Sequence, residues 1–225
     1  MSSPYLTTLL HTKTYLNPEQ MNNNVYNNLK QNLIKQLEGK CFRQYGYISK
    51  VYNITDYGVG NIPAENPLAA AIFKVTYSCK LCNPLKNTQM VCKIDRTSPI
   101  LISLLSGPMR IVVTMEHINK NSFYLDKHKN LMYKSKTGSN MIEKGAHVKV
   151  TILSKTFNDQ DDSIMVFGRL DDIANTEEIE TFYKDEYDTN INEDKIINFD
   201  DYIQRENELN DIIEGADNVN DLKEK

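Results

Sequence analysis

The stretch VYNNLKQNLIKQLEGKCFRQYGYISKVYNITDY, residues 25–57, changes its hydrophobic period once, and that change sets the architecture of the first eighty-odd residues. Val25, Leu29, Leu33 and Leu37 recur every four residues with Tyr26 and Ile34 beside them, which makes one apolar helical face. Asn22, Asn23 and Asn24 offer N-cap side chains, and Gly39 suits the C′ position that ends a helix. Beyond Gly39, aromatic and β-branched residues dominate positions 40–52, interrupted at Gly46. The chain there becomes extended.

Working outward, residues 5–16 alternate weakly and read as an opening strand that Asn17-Pro18 breaks. On the other side, DYGVGNIPAENPL at 56–68 holds two glycines and two prolines and reads as a loop. In 69–82, Ala71, Phe73, Val75, Tyr77, Cys79 and Leu81 share one face of a long strand. Strand, helix, strand, loop and strand make an α+β domain, one main helix on an antiparallel sheet, over residues 1–83.

From residue 85 the pattern is all-β. Met90, Cys92 and Ile94 alternate, as do Ile100, Ile102 and Leu104, then Met109, Ile111, Val113 and Met115 after the Gly107-Pro108 turn. Val148, Val150 and Ile152, then Ile164, Val166 and Gly168, complete about five short strands. This fits an all-β OB-fold barrel over 84–174, with a β-sandwich as the competing reading. The polar, lysine-rich region 119–145 reads as an exposed insertion between barrel strands. Residues 175–225 read as an acidic, mostly disordered tail, because the aliphatic content after Ile173 is too low to fold alone. Within that tail, Phe199, Tyr202, Ile203, Leu209, Ile212 and Ile213 line one side of a candidate helix over 199–214, either frayed or folding onto a partner groove.

The net charge of −4 conceals a segregation: residues 171–225 carry 19 acids against 5 bases, and residues 1–170 carry 21 bases against 11 acids. A basic body favours a polyanionic neighbour, although a lysine-rich surface also serves solubility alone. The opening residues lack a basic segment followed by an apolar run, and PLAAAIF and PILISLLSGPM fall far short of the ~20 residues that span a bilayer. The expectation is an intracellular protein with no membrane partner and with reduced thiols.

Catalytic motifs are missing. The sequence holds no GxxxxGK[ST] loop, GxSxG elbow or HExxH pair, and His11, His117, His128 and His147 are scattered without ligand spacing. Cys79 and Cys82 form a CxxC, but residues three apart on a strand point to opposite faces, and only Cys41 and Cys92 remain to complete a zinc site. They read as buried thiols, so neither metal nor cofactor is expected. Nucleic-acid contact has more support: Lys120, Lys127, Lys129, Lys134 and Lys136 surround Phe123, Tyr124 and Tyr133. Cations can track phosphates while aromatic faces stack bases.

Several stretches, in order, resemble the stalk-subunit family of multi-subunit DNA-dependent RNA polymerases, which comprises the seventh subunit of eukaryotic RNA polymerase II and its archaeal counterpart. They are EGKCFRQYGYISKVYNI at 38–54, with Glu38-Gly39 and Gly46-Tyr47-Ile48; GNIPAENPLAAAIFKVTY at 60–77; Pro84 and Lys86 at the domain junction; and GPMRIVVTMEHI at 107–118. The resemblance covers about residues 5–173. It departs at Asp95-Arg96-Thr97-Ser98-Pro99, where the family carries a glycine-rich turn, and in the acidic tail. What it implies is a non-catalytic subunit of the transcribing complex. Its N-terminal tip would dock on the polymerase core near the clamp through Tyr45, Gly46, Tyr57, Gly58, Gly60, Ile62 and Pro63. Its helix side would pair with a second small stalk subunit. The barrel would meet nascent RNA through Arg110, Phe123, Lys127, Lys129, Tyr133, Lys134 and Lys136. The abundance of Asn, Lys and Ile suits an AT-rich source such as a large DNA virus, which would place the protein in host cytoplasm or virion, and otherwise in a nucleus. The alternative is a free-standing OB-fold RNA-binding protein of translation or RNA decay, which would have no use for residues 38–77.

Overall fold

The computed structural model describes residues 3–126, 131–135, 138–187, 197, 199, 204 and 207. Strand β1 (Tyr5–Leu16) leads into helix α1 (Val25–Leu37), followed by β2 (Lys40–Phe42), β3 (Gly46–Tyr57) and β4 (Ala71–Cys82). The four strands form one antiparallel sheet in the order β1-β4-β3-β2. Leu29, Leu33 and Leu37 are buried on one side of α1, as their spacing requires, against Leu10, Val51, Val75 and Tyr77 of the sheet. Apolar side chains on alternate strand positions meet the helix and leave the other sheet face free of it.

The helix ends are secured differently from the sequence reading. Asn24 occupies the N-cap but makes no side-chain cap bond, while Asn22 Oδ1 accepts the Asn24 N–H at 2.9 Å. At the other end Gly39 is left-handed, at φ +77°, and its N–H donates to Ile48 O at 3.0 Å. Glu38 Oε1 accepts the Val51 N–H at 2.7 Å, beside register shifts at Ile48/Lys50 and Val51/Asn53. The carboxylate thus supplies a backbone partner where the strand bulges.

Strands β5 (Gln89–Thr97), β6 (Leu101–Ser106) and β7 (Met109–Thr114) open the second unit, and a three-stranded sheet follows: β8 (Phe123–Leu125), β9 (Leu131–Ser135) and β10 (Gly138–Met141). Strands β11 (His147–Thr156) and β12 (Ile164–Ile173) return to close a barrel in the order β11-β12-β7-β6-β5. All its pairings are antiparallel except β12 with β7. Closure excludes the sandwich and is compatible with an OB-like barrel. Met90, Cys92, Ile102, Leu104, Val148 and Val166 point inward and are buried. Ile100, read from sequence as a core position, is instead exposed in the turn closed by Ser98 and Leu101.

Two further expectations are corrected. The region 119–145 is not simply an exposed insertion, since Phe123, Leu131 and Ile142 are buried with the barrel core and its small sheet covers that core. Nor is the chain after 175 unstructured from its start: α2 (Thr176–Tyr187) is a helix. It does not fold alone. Phe182 packs on the barrel cluster, Lys149 Nζ pairs with Glu178 Oε1 at 3.1 Å, and His147 Nε2 lies 2.6 Å from the Tyr183 hydroxyl. The Asn175 N–H donates to Glu178 Oε2 at 2.8 Å, half of a capping box. The helix expected over 199–214 lies largely outside the described residues. Further along, the Ile197 N–H donates to Thr7 O at 2.9 Å, and the Phe199 ring meets that of Tyr45 at 5.3 Å.

Sheet and barrel are stitched together at one end of β3. Cys41 exchanges backbone bonds with Gln160 and Asp161 at 2.8 Å each, the Arg43 N–H donates to Asp159 Oδ1 at 2.6 Å, and Lys155 Nζ donates to Asn83 Oδ1 at 2.9 Å.

Candidate docking loop and nucleic-acid surface

The loop between β3 and β4 combines a braced backbone with exposed apolar side chains. It opens with the Gly58 N–H donating to Lys74 O at 2.9 Å, and Asn61 and Ile72 exchange backbone bonds at 3.0 and 2.8 Å. Asn66 then organises the turn: its N–H donates to Pro63 O at 3.1 Å, its Oδ1 accepts the Leu68 N–H at 3.0 Å, and its Nδ2 donates to Ala70 O at 3.2 Å. A Cβ on Gly60 would stand 2.4 Å from Phe73 Cζ, so the backbone passes directly over that ring. On this scaffold Val59 is 95% exposed, Leu68 73% and Ile62 52%. Bulky side chains held in water by a fixed backbone are suited to binding, because the ordering entropy is already spent.

The residues expected to dock do not all lie together. Tyr57, Gly58, Gly60, Ile62 and Pro63 belong to this loop, whereas Tyr45 and Gly46 precede β3 or open it. Twelve residues of strand separate the two groups by roughly 35 Å. Gly46 is left-handed at φ +100°, and a Cβ there would lie 2.8 Å from Cys82 O. Tyr45 is half-buried and carries Phe199 on its ring. Both residues serve the junction with the barrel.

The expected nucleic-acid set divides as well. Lys127, Lys129 and Lys136 lie outside the described residues. Phe123 is 1% exposed and cannot offer its ring to a base; its aromatic character serves the core. Tyr133 packs half-buried against that core, and its hydroxyl bonds Asp172, which together with burial raises the phenol pKa. Lys134 Nζ donates to Lys120 O at 3.1 Å and lies 5.6 Å from the centre of the Tyr124 ring.

Arg110 stands on the outer barrel face, in register with Leu105 and Met165. In the next row Val112 lies between Ser103 and Phe167. Leu105, Arg110, Met165 and Phe167 are all exposed, so three adjacent strands present a mixed apolar and cationic surface. Sequence reasoning singles out only Arg110 of these four. The signal for Leu105, Met165 and Phe167 is nonetheless present, as apolar residues at the outward positions of alternating strands, where polar ones are normal.

Nothing among the described residues forms a metal cluster of three or more ligands. All four cysteines are free and buried; burial, reinforced by Asp161 and Asp162, pushes the Cys41 thiol up to about 12, and burial alone does the same for Cys79. Such thiols are inert as nucleophiles near neutrality. Among the described residues no helix is long and apolar enough to cross a membrane.

Comparison with known proteins agrees with this geometry of binding surfaces without catalysis. No protein-family model matches the chain. A protein of Acanthamoeba polyphaga mimivirus assigned as a DNA-directed RNA polymerase subunit is 32% identical over 184 residues, covering 82% of this chain and 90% of that protein. DNA-directed RNA polymerase II subunit RPB7 of Glycine max is 24% identical over 145 residues, 64% of this chain and 81% of the relative. The corresponding subunit 7 of Arabidopsis thaliana is 23% identical over 145 residues with the same coverage.

Proposed function

Because the chain belongs to the family of RNA polymerase subunits that includes RPB7, and is a non-catalytic accessory subunit, we propose that it forms a stalk docked on the polymerase core near the clamp. Residues 1–83 act as the docking module and residues 84–174 as the module that meets nascent RNA. The observation that carries the docking reading is the braced loop 58–70, with Val59, Ile62 and Leu68 held out in solvent. A monomeric protein gains nothing from such side chains, and a socket on a larger partner removes them from water at about 25 cal/mol per Å². Tyr57, at the start of the loop, adds an exposed aromatic ring in edge contact with Phe73 at 6.5 Å.

For RNA, Arg110 is the favoured contact, flanked by Leu105, Met165 and Phe167 on the outer face of β6, β7 and β12. That arrangement supports sequence-independent contact: a guanidinium for phosphate, apolar and aromatic faces for bases. The helix side of the docking module is where a second small stalk subunit would pair.

The test is co-purification. Val59→Asp with Ile62→Asp should leave the isolated chain folded, because both side chains are exposed, and should reduce recovery with the polymerase core by at least tenfold. Recovery equal to wild type would sink the assignment of the loop as the docking element.

A further inference from the structure

The sheet face opposite α1 carries an arrangement that neither docking nor the barrel surface explains. On β1 the side chains of Leu9, His11, Lys13 and Tyr15 point away from the helix and are exposed. On β4 their neighbours in register are Ser78, Thr76, Lys74 and Ile72. Lys13 therefore lies directly opposite Lys74, both exposed, and like charges in that relation destabilise a sheet. Among the described residues neither lysine has a carboxylate within ion-pair distance. They line an open cleft of about 470 Å³ with His11, Thr76, Gly58 and Asp56, and Asp56 is the one acid on its wall among the described residues. His11 Nδ1 lies 2.9 Å from Thr76 Oγ1, which orients the ring and leaves Nε2 for a ligand. Tyr15, 52% exposed, follows Lys13 on the same face, opposite Ile72.

We propose that Lys13 and Lys74, with His11 beside them and Tyr15 as a stacking ring, form a second binding site, for the phosphodiester backbone of single-stranded nucleic acid, on the N-terminal sheet. Two adjacent ammonium groups held apart from acids are stabilised by an anion between them. An acidic peptide would satisfy the lysines, but it would leave an exposed tyrosine without a role. A nucleotide chain uses both, its phosphates on the cations and a base on the ring. The cleft borders the docking loop through the Gly58–Lys74 backbone bond, so the strand bound there would run where this subunit meets its partner. This site is separate from the barrel face, and either can fail without the other.

The test uses the full chain and a labelled oligouridine, with fluorescence anisotropy at several salt concentrations. Loss of two phosphate contacts lowers the salt slope by about 1.4, so Lys13→Ala with Lys74→Ala should lose about sevenfold less affinity than wild type between 50 and 200 mM salt. Arg110→Ala with Phe167→Ala reports on the barrel independently and should leave this difference intact. The lysine variant should melt at or above the wild-type temperature, because a like-charge pair has gone. Lys13→Gln with Lys74→Gln gives the same readout if the alanine variant folds poorly. Oligouridine bearing 4-thiouridine should cross-link within 5–16. An unchanged salt slope, absence of that cross-link, or polyglutamate displacing the RNA only from wild type and binding there more tightly than RNA does, overturns the proposal.

Discussion

Replacing Phe123 with alanine separates two uses of an aromatic ring that sequence cannot distinguish. The side chain is 1% exposed, packs with the barrel cluster and lies 5.4 Å from the Tyr133 ring, centre to centre. Its own N–H is fixed to Asn119 O at 2.9 Å, so the backbone cannot easily collapse into the space left behind. Truncating a buried phenylalanine costs about 3–5 kcal/mol, from lost transfer energy and the residual cavity. For a chain of this size each kcal/mol shifts the melting midpoint by about 2–4 °C, which gives a fall of roughly 6–20 °C. Phe123→Leu should recover more than half of that loss, because it restores most of the volume. Calorimetry or circular dichroism measures the shift, and anisotropy with oligouridine below the variant's melting range measures binding. Alanine at 123 should lower stability and leave RNA affinity within about twofold. A variant with wild-type melting and impaired RNA binding would refute the burial argument and return the ring to the surface.

Acidification should loosen α2. Burial, and then the charge of Lys93, hold the His147 pKa below its ordinary value, and the ring is bonded to the Tyr183 hydroxyl. The unfolded chain takes up a proton at about pH 6.5 while the folded ring resists it, so this stability is complete above that pH and disappears as pH falls through the folded value. Melting midpoints should drop between pH 6.5 and 5 in wild type and much less in His147→Gln; equal drops would assign the effect elsewhere. Gly60→Ala should cost about 1 kcal/mol by pushing the Phe73 ring from its place, yet should reduce co-purification with the polymerase core well beyond that figure. Gly58→Ala, whose Cβ would lie 3.8 Å from Lys74 O, is the control that should dock normally.

Legibility in the sequence depends on the length of the periodic signal. Thirteen residues with leucine at every fourth position make α1 unmistakable, and β4 shows its buried face through Val75, Tyr77, Cys79 and Leu81. The barrel strands alternate for six residues or more and are legible for the same reason. Strand β8 is three residues long, too short to show which side of FYL faces inward, and so Phe123 reads as a surface ring when it is a core one. Helix α2 escapes a sequence reading because its supports are on another element: an acidic segment gains order only from Lys149 and His147 of β11.

The amino-acid sequence by itself thus determined the element types, the inward faces of the long strands, the absence of catalytic chemistry and the likeness to polymerase stalk subunits. Tertiary structure alone decided which residues meet. It parted Tyr45 and Gly46 from the docking loop by the length of β3, and it set Lys13 against Lys74 through the register of two strands far apart in the chain. Periodicity reports which way a side chain faces because that is local geometry. What it faces depends on strand pairing across long separations, and no window of sequence contains that information.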